Sequence, residues 1–337
     1  MVVLQYQTNS IMRIVTLEEH VVFPEMVALI PKDKQGGFDH SPMMQKLAPV
    51  LADVTGERLK YMNESEISVQ VLSVVSLGAN ILSAEDGPAF ARKYNDLLAE
   101  KTSAQPDRFA VFAHLPTTNP QAAAEELERT VKTYQFVGAL INGLTNDEFL
   151  DDDKYAPILK KAEELGVPIY LHPGIPPKAV KDAYYSELPK QSGTILSVAG
   201  WGWHSETAIH VLRLIISGTF DKYPKLKLII GHMGEMLPMM MARCDNMFRP
   251  NENGVNQRTI SQTLKDQVYI TTSGLFTQPP LKVAIETFGI DNIMFSVDYP
   301  FSTNAQGKAF LDAIDLPVED KEKIAYLNAD RILGLKR

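Results

Sequence analysis

The chain has 337 residues, of which 45% are hydrophobic and 22% charged, with 20 Gly and 21 Pro. This composition is that of a globular protein with a large core, and it excludes collagenous, low-complexity and predominantly disordered chains. The net charge of −8 gives no basic field to attract phosphate groups, so neither nucleic acid nor an anionic membrane surface is an expected partner.

Three further features of the sequence bear on its location. The apolar stretch at 69–75 is far shorter than the roughly 20 residues that a membrane helix needs. The first 11 residues lack the basic and apolar regions of a signal peptide. Cys244 is the one cysteine of the sequence, so no internal disulfide can form. We therefore expect a cytoplasmic protein without a membrane span.

Short apolar, β-branched runs alternate along the chain with segments of helical periodicity, a pattern typical of βαβ units and a parallel sheet. The runs lie at 13–20, 69–74, 109–116, 136–143, 167–173, 227–234, 268–274 and 293–300. Eight strand–helix units predict a (β/α)8 TIM barrel. We expect one domain over residues 13–337, preceded by an N-terminal extension over residues 1–12.

Helical spacing of apolar residues predicts helices at 122–134, 154–165 and 206–217, the last with Ser205 as its N-cap. Two connections, 174–204 and 248–265, are rich in Pro, Gly, Ser and Asn and are longer than ordinary loops. In a barrel the first of them would lie over the C-terminal rim of the strands. We expect it to cover an active site.

Ionisable residues fall at the ends of several predicted strands, where the active site of a barrel enzyme lies. Glu18 and His20 end the first run, His172 the fifth and Asp298 the last. Since strand side chains alternate, Glu18 and His20 share one face and Glu19 takes the other. Imidazole and carboxylate ligands suit Zn(II), Mn(II) or Fe(II) in an open catalytic site, whereas a closed structural zinc site would need cysteines.

The remaining histidines apart from His232 are expected to be structural or solvated. His204 stands beside Trp201 and Trp203, so loop packing is the preferred interpretation and lining of the pocket the alternative. Structural roles are expected for His114 and His210, and His40 lies in a polar loop.

Five motifs taken together resemble a known family. They are TLEEH at 16–20, YLHP at 170–173, SETAxHxLRL at 205–214, GHMGExLP at 231–238 and FSxDxPF at 295–301. The set is similar to the amidohydrolase-related metal-dependent decarboxylases, most closely the γ-resorcylate (2,6-dihydroxybenzoate) and 2,3-dihydroxybenzoate decarboxylases. The resemblance extends from residue 13 to residue 335.

The resemblance implies a role for each matching position. It implies metal binding by Glu18, His20, His172 and Asp298, a hydrogen-bonded pair of His232 and Glu235 beside the substrate, and substrate binding by Asn142 and Arg243. In relatives the equivalent arginine can act across a subunit interface, so we expect a homodimer or homotetramer. One divalent ion is expected, Zn2+ or Mn2+ before Mg2+.

The expected reaction is non-oxidative decarboxylation of an ortho-hydroxylated benzoate. Asp298 is the candidate proton donor to the ring, and His232, oriented by Glu235, the candidate for stabilising charge on oxygen. The alternatives are a lactone or amide hydrolase and an oxo-acid hydratase. Binuclear hydrolases of the superfamily resemble one another in a His-x-His motif and a bridging lysine on strand four, but this chain has Glu18-x-His20 and no lysine at 137–143. No dinucleotide fingerprint follows a predicted strand, so no organic cofactor is expected.

Overall fold

The computed structural model describes residues 12–35, 41–75 and 78–335. Nine strand segments occur in these ranges, and every strand pairs in parallel with its neighbours. They are β1 Val15–Val21, β2 Val69–Val74, β3 Phe109–Val111, β4 Ala113–His114, β5 Ala139–Asn142, β6 Ile169–His172, β7 Leu228–Ile230, β8 Val268–Thr271 and β9 Ile293–Met294. Each predicted run overlaps a strand, and 109–116 holds both β3 and β4. The predicted α/β class is confirmed.

A closed barrel, as predicted, has one continuous ladder of strand hydrogen bonds. In the structure this ladder divides into a sheet of β1–β3 and a sheet of β4–β9. Phe112 connects the two sheets by donating its backbone N–H to Leu72 O at 2.9 Å. At the other junction, His20 N donates to Tyr299 O at 2.7 Å, and the amides of Leu17 and Glu18 donate to the Ser296 hydroxyl. Side chains therefore take the place of regular pairing between the first and last strands.

Helices alternate with the strands. They are α1 Pro24–Val27, α2 Pro42–Ala52, α3 Glu57–Glu64, α4 Gly87–Thr102, α5 Pro120–Tyr134, α6 Ala156–Leu165, α7 Lys178–Tyr184, α8 Ser192–Ser197, α9 Gly202–Ile216, α10 Thr219–Lys222, α11 His232–Glu235, α12 Leu237–Met247, α13 Ile260–Gln267, α14 Gln278–Phe288, α15 Asn304–Asp312, α16 Val318–Glu322 and α17 Asn328–Leu333. The helix predicted at 206–217 begins earlier, at Gly202, so the prediction of Ser205 as N-cap is wrong. Its hydroxyl donates to Gly202 O, within the first turn.

Two layers of apolar side chains hold this arrangement together. The larger cluster lies between strands and helices and runs from Ile14 to Ala325. The smaller one takes alternate residues of the strands, including Val71, Leu140 and Tyr170, and fills the space that the strands enclose. Residues 1–11, most of the expected extension, lie outside the described residues, and a single domain over 13–337 stays a prediction.

The connection at 174–204, expected to cover an active site, contains the short helices α7 and α8. Several of its apolar side chains, including Tyr184, Ile195 and Trp201, are more than half exposed. Among the described helices, none is both long and apolar enough to cross a bilayer.

Candidate metal centre

The four side chains predicted as metal ligands lie at the C-terminal ends of their strands. Glu18 and His20 belong to β1, His172 ends β6, and Asp298 follows β9. Nε2 of His172 lies 3.3 Å from Oε1 of Glu18, and Nε2 of His20 lies 3.2 Å from Oδ1 of Asp298. Two ligand atoms about 2.1 Å from one ion and at right angles lie about 3.0 Å apart. These separations therefore match the edges of a coordination sphere.

Two of these ligand atoms are buried without a hydrogen bond. Neither Oε1 of Glu18 nor Nε2 of His20 has a hydrogen-bond partner within the described part of the chain. Leaving such an atom unsatisfied costs about 1–3 kcal/mol. Nδ1 of His172 donates to the carbonyl of Pro173 at 2.8 Å, which leaves the lone pair of its Nε2 free. The ligand atoms of Glu18, His20 and His172 all lie within 4.8 Å of one another, so this cluster can hold a cation.

Two hydroxyl groups bind the carboxylate of Glu18 at the oxygen that faces away from the histidines. The hydroxyls of Tyr170 and Ser273 both donate to its Oε2, which turns Oε1 toward the histidines. A β-bulge between Thr16 and Glu19 shifts the register of β1 just before the site, as bulges near active sites commonly do. Tyr170 begins the YLHP motif but was assigned no role from the sequence, although its position two residues before His172 puts both side chains on one face of β6.

Charge organises the ionisation of this cluster. Burial would raise the pKa of Glu18, but His232, His172 and His20 together lower it well below its ordinary value. Burial lowers the pKa of His20 to about 4, against the attraction of Glu18, so its imidazole is neutral and able to bind a metal. Burial and the neighbouring charge of Glu18 raise the pKa of Asp298 to about 7.

His232 and Glu235 lie on a left-handed turn that follows β7. The φ angles of residues 232–236 are all positive, from 47° at His232 to 84° at Gly234. Each non-glycine residue in this conformation costs about 1–2 kcal/mol, and such strain is typical of functional sites. The turn places Nδ1 of His232 2.7 Å from Oε1 of Glu235 and Nε2 of His232 3.8 Å from Oε1 of Glu18.

His204 packs in its own loop, as preferred from the sequence, and it also contacts Glu235 of the candidate site. Its Nδ1 lies 2.6 Å from Oε2 of Glu235, and its ring centroid lies 4.5 Å from that of His232. Trp203 Nε1 donates to Nε2 of His204 at 3.1 Å. No spacing of residues indicated this contact, because α9 begins at Gly202 rather than after Ser205.

Electrostatic coupling accompanies this geometry. Burial opposes protonation of His232, but Glu235 and Glu18 raise the pKa of its imidazole to about 10. Burial would raise the pKa of Glu235, and the two histidines lower it. Glu235 is therefore a buried carboxylate between the side chains of His232 and His204.

The two predicted substrate-binding residues differ in their surroundings. Asn142 ends β5 in register with His172; its Nδ2 donates to Val74 O at 3.4 Å, and its Oδ1 has no partner among the described residues. Arg243 lies on α12 with an exposed side chain, and it makes no ion pair within the described single chain. Met239 and Met240 on the same helix are also exposed.

The other histidines of the described chain are structural, as expected. Nε2 of His114 accepts the backbone N–H of Ala79 at 2.8 Å, and Nε2 of His210 accepts that of Leu150 at 2.8 Å. Burial lowers the pKa of His114 to about 4 and that of His210 to about 3. His40 lies outside the described residues.

Comparison with known proteins places this geometry in a family. Residues 51–335 match the amidohydrolase family, and the chain belongs to it. Within that family it is similar to metal-dependent decarboxylases, as the resemblance predicted. It is 38% identical to decarboxylase orsB of Emericella nidulans, over 85% of this chain and 87% of the relative. It is 35% identical to the γ-resorcylate decarboxylase of Rhizobium sp. (strain MTP-10005), over 95% of this chain and 98% of the relative.

A solved structure provides the same comparison in three dimensions. The dihydroxybenzoic acid decarboxylase from Polaromonas sp. JS666, with bound manganese and the inhibitor 2-nitroresorcinol, superimposes with a TM-score of 0.85. The alignment covers 96% of this chain and 98% of that one, at 34% sequence identity. The predicted fold and family are therefore confirmed.

Proposed function

We propose that this protein is a metal-dependent decarboxylase that removes the carboxylate of an ortho-hydroxylated benzoate as CO2, without oxidation. The observation that carries the proposal is a pair of buried atoms without a hydrogen bond, Oε1 of Glu18 and Nε2 of His20. They lie 3.3 Å from Nε2 of His172 and 3.2 Å from Oδ1 of Asp298, respectively. The similarity to the γ-resorcylate decarboxylases supports it.

One divalent ion per chain would be held by Glu18, His20, His172 and Asp298, and no organic cofactor is required. Two imidazoles and two carboxylates suit Mn2+ or Zn2+, with Mg2+ as a further candidate. The manganese of the Polaromonas relative favours Mn2+. The positive charge of a bound ion would stabilise the phenolate form of the substrate.

The chain's own residues would supply the proton. Asp298, whose pKa is raised to about 7 by burial and by Glu18, would donate its proton to the ring carbon that bears the carboxylate. The bond from that carbon to the carboxylate then breaks, its electron pair restores the aromatic ring, and CO2 leaves. Asp298 would end as a carboxylate and recover a proton from water. A cation beside this group lowers its pKa, so the substrate-bound state must offset that effect.

His232, whose Nε2 lies 3.8 Å from Oε1 of Glu18, would stabilise charge on the substrate oxygen. Glu235 accepts its Nδ1–H and so leaves Nε2 directed toward the cluster. Asn142, with a free Oδ1 at the end of β5, would contact a ring substituent.

Arg243 would bind the aromatic carboxylate from a neighbouring chain of a homodimer or homotetramer. The side chain is exposed on α12, next to the exposed Met239 and Met240. An exposed apolar surface of this kind is typical of a subunit contact. A cytoplasmic location stays a prediction.

The hydrolase and hydratase alternatives are less well supported. Strand β5 has no lysine of the kind that bridges two metals in binuclear hydrolases. Strand β1 carries Glu18 and His20 rather than a His-x-His pair. The curated relatives named above are decarboxylases.

The proposal is tested with a panel of hydroxybenzoates. Metal-free protein is reconstituted separately with Mn2+, Zn2+ and Mg2+, and the release of CO2 and phenol is measured. We expect turnover only with metal and only on acids with an ortho-hydroxyl group. His172→Ala should lose stoichiometric metal and activity together, whereas His114→Gln, outside the site, should keep the metal. Metal-independent turnover, or hydrolysis without release of CO2, would contradict the proposal.

A further inference from the structure

One buried carboxylate contributes to the junction between the first and last strands. Glu19 is fully buried between the strands and the surrounding helices. Its Oε1 accepts the backbone N–H of Val297 at 3.0 Å, and its Oε2 accepts that of Tyr299 at 3.1 Å. The two amides therefore bracket Asp298, the residue between them.

Asp298 needs such a restraint because its backbone is in an unfavourable conformation. Its φ is 71°, in the left-handed region that side chains other than that of glycine rarely adopt. Residues in this region persist when the surrounding contacts hold them there. The carboxylate of Glu19 binds the N–H groups of the residues before and after Asp298 and so restrains the direction of the Asp298 side chain.

Further donors hold Glu19 itself. The hydroxyl of Ser296 donates to Oε1 at 3.3 Å, and Nε2 of Gln70 donates to Oε2 at 3.4 Å. The side chain thus has four donors, and none of them belongs to the predicted ligands. Its neighbours on the chain, Glu18 and His20, face the opposite side of β1.

A buried arginine joins this assembly to His20. Nη2 of Arg58, on α3, donates to His20 O at 2.6 Å, and its Nη1 donates to Gln70 Oε1 at 3.1 Å. Its guanidinium also lies over the ring of Tyr299, 4.7 Å from the centroid. The same network therefore restrains His20 and Asp298, whose facing atoms lie 3.2 Å apart.

We infer that Glu19 is a positioning residue, which sets the separation between Asp298 and the ligands of β1 by binding the two amides that flank Asp298. The inference rests on the proposed metal-binding role of Asp298. A carboxylate is required because both of its oxygens accept backbone N–H groups. A glutamine in its place offers one oxygen and turns an NH2 group toward the second amide.

The test measures metal binding rather than turnover. Metal-free wild-type protein, Glu19→Gln, Asp298→Asn and Glu126→Gln are titrated with Mn2+ below the midpoint of thermal unfolding. The free ion is followed by its electron paramagnetic resonance signal. Glu126 is the matched control, because it is a buried carboxylate of α5 that accepts hydrogen bonds from Asn95 and Arg129, away from the site.

We expect Glu19→Gln to weaken Mn2+ binding at least about tenfold, in the range found when partners of metal ligands are replaced. Glu126→Gln should lower only the melting temperature and keep the affinity within about twofold, as expected for an independent site. If Glu19→Gln does not fold, Gln70→Leu, which removes the donor to Oε2 of Glu19, should show a smaller loss in the same direction.

Two other outcomes would overturn either the positioning role of Glu19 or the proposed metal-binding role of Asp298. Mn2+ binding that is unchanged in Glu19→Gln but weakened in Asp298→Asn would overturn the positioning role and leave the metal site standing. Unchanged binding in Asp298→Asn would instead remove Asp298 from the proposed ligands, and the role of Glu19 with it.

Discussion

Glu235 receives one histidine at each carboxylate oxygen, His232 at 2.7 Å and His204 at 2.6 Å. His232 reaches toward Glu18, whereas His204 is partly exposed and in contact with Trp203. Glu235 therefore holds His232 in a single orientation when His204 binds its other oxygen. This relationship makes His204 part of the machinery that orients His232.

The first prediction concerns that contact. His204→Leu removes the donor to Glu235, and we expect kcat to fall about tenfold or more while the metal content is unchanged. His204→Asn should recover part of the rate, since its Nδ2 can replace Nδ1 as the donor. Steady-state kinetics and metal analysis check both variants. Equal rates for the leucine and asparagine variants would contradict the orienting role.

The second prediction concerns Gly231, which lies against the proposed ligand Glu18. A Cβ at this position would lie 2.6 Å from Oε2 of Glu18, and Glu18 cannot move away because it is buried and bonded to Tyr170 and Ser273. Gly231→Ala should therefore weaken Mn2+ binding about tenfold or more. Gly87→Ala, whose nearest contact would be 3.2 Å, is the control and should bind normally. Full affinity in Gly231→Ala would show that Glu18 is not a ligand.

The candidate ligand set could be proposed from the sequence because side chains alternate along a strand. Alternation along β1 separates Glu18 and His20 from Glu19, and parallel strands bring their carboxyl ends together. The left-handed turn at 232–236 was not predictable, because four of its five residues are not glycine. Its strain is offset by tertiary contacts, which local sequence patterns do not encode. For the same reason the sequence did not predict that Glu19 would replace strand pairing at the junction with β9.

The third prediction concerns stability against pH. Burial, with a contribution from Arg213, lowers the pKa of His210 from 6.5 to about 3 in the folded protein. Above pH 6.5 neither the folded nor the unfolded state binds this proton, so the contribution of His210 to the free energy of unfolding does not vary with pH. Between pH 6.5 and about 3 only the unfolded chain is protonated, and the free energy of unfolding falls by about 1.4 kcal/mol per pH unit for one such group.

His210→Gln tests that contribution. The glutamine Oε1 can accept the N–H of Leu150 as Nε2 does now, but it does not titrate. The free energy of unfolding of the metal-free variant is measured with denaturant between pH 6.5 and 4.5. Its slope against pH should be shallower than that of the wild type, by an amount that corresponds to nearly one proton. Identical slopes would mean that His210 is protonated in the folded state.

The fourth prediction concerns Arg243. If its exposed guanidinium binds the substrate carboxylate of a neighbouring chain, Arg243→Ala should raise KM about tenfold or more, with little change in the melting temperature. Arg249→Ala is the control, because Arg249 is exposed and pairs only with Glu252 within the described chain. Light scattering should show at least a dimer. A fully active monomer would contradict the assignment.

The last prediction is the route of CO2 loss. Direct departure of CO2 from an aryl carbon would leave an aryl anion, whereas protonation of that carbon first avoids it. Asp298, beside Nε2 of His20 and with its pKa raised to about 7 by burial and by Glu18, is the residue placed to supply the proton. Asp298→Asn should therefore cut kcat by about 10²-fold or more. Because Asp298 is also a proposed metal ligand, the variant is assayed at saturating Mn2+ with its metal content measured. The decisive measurement is isotopic: turnover in D2O should place one deuteron at the vacated carbon of the phenol, and the reverse reaction at high bicarbonate should carboxylate the same carbon. A phenol without deuterium at that carbon would exclude ring protonation, and the role of Asp298 as the acid would have to be abandoned even if the metal centre were correct.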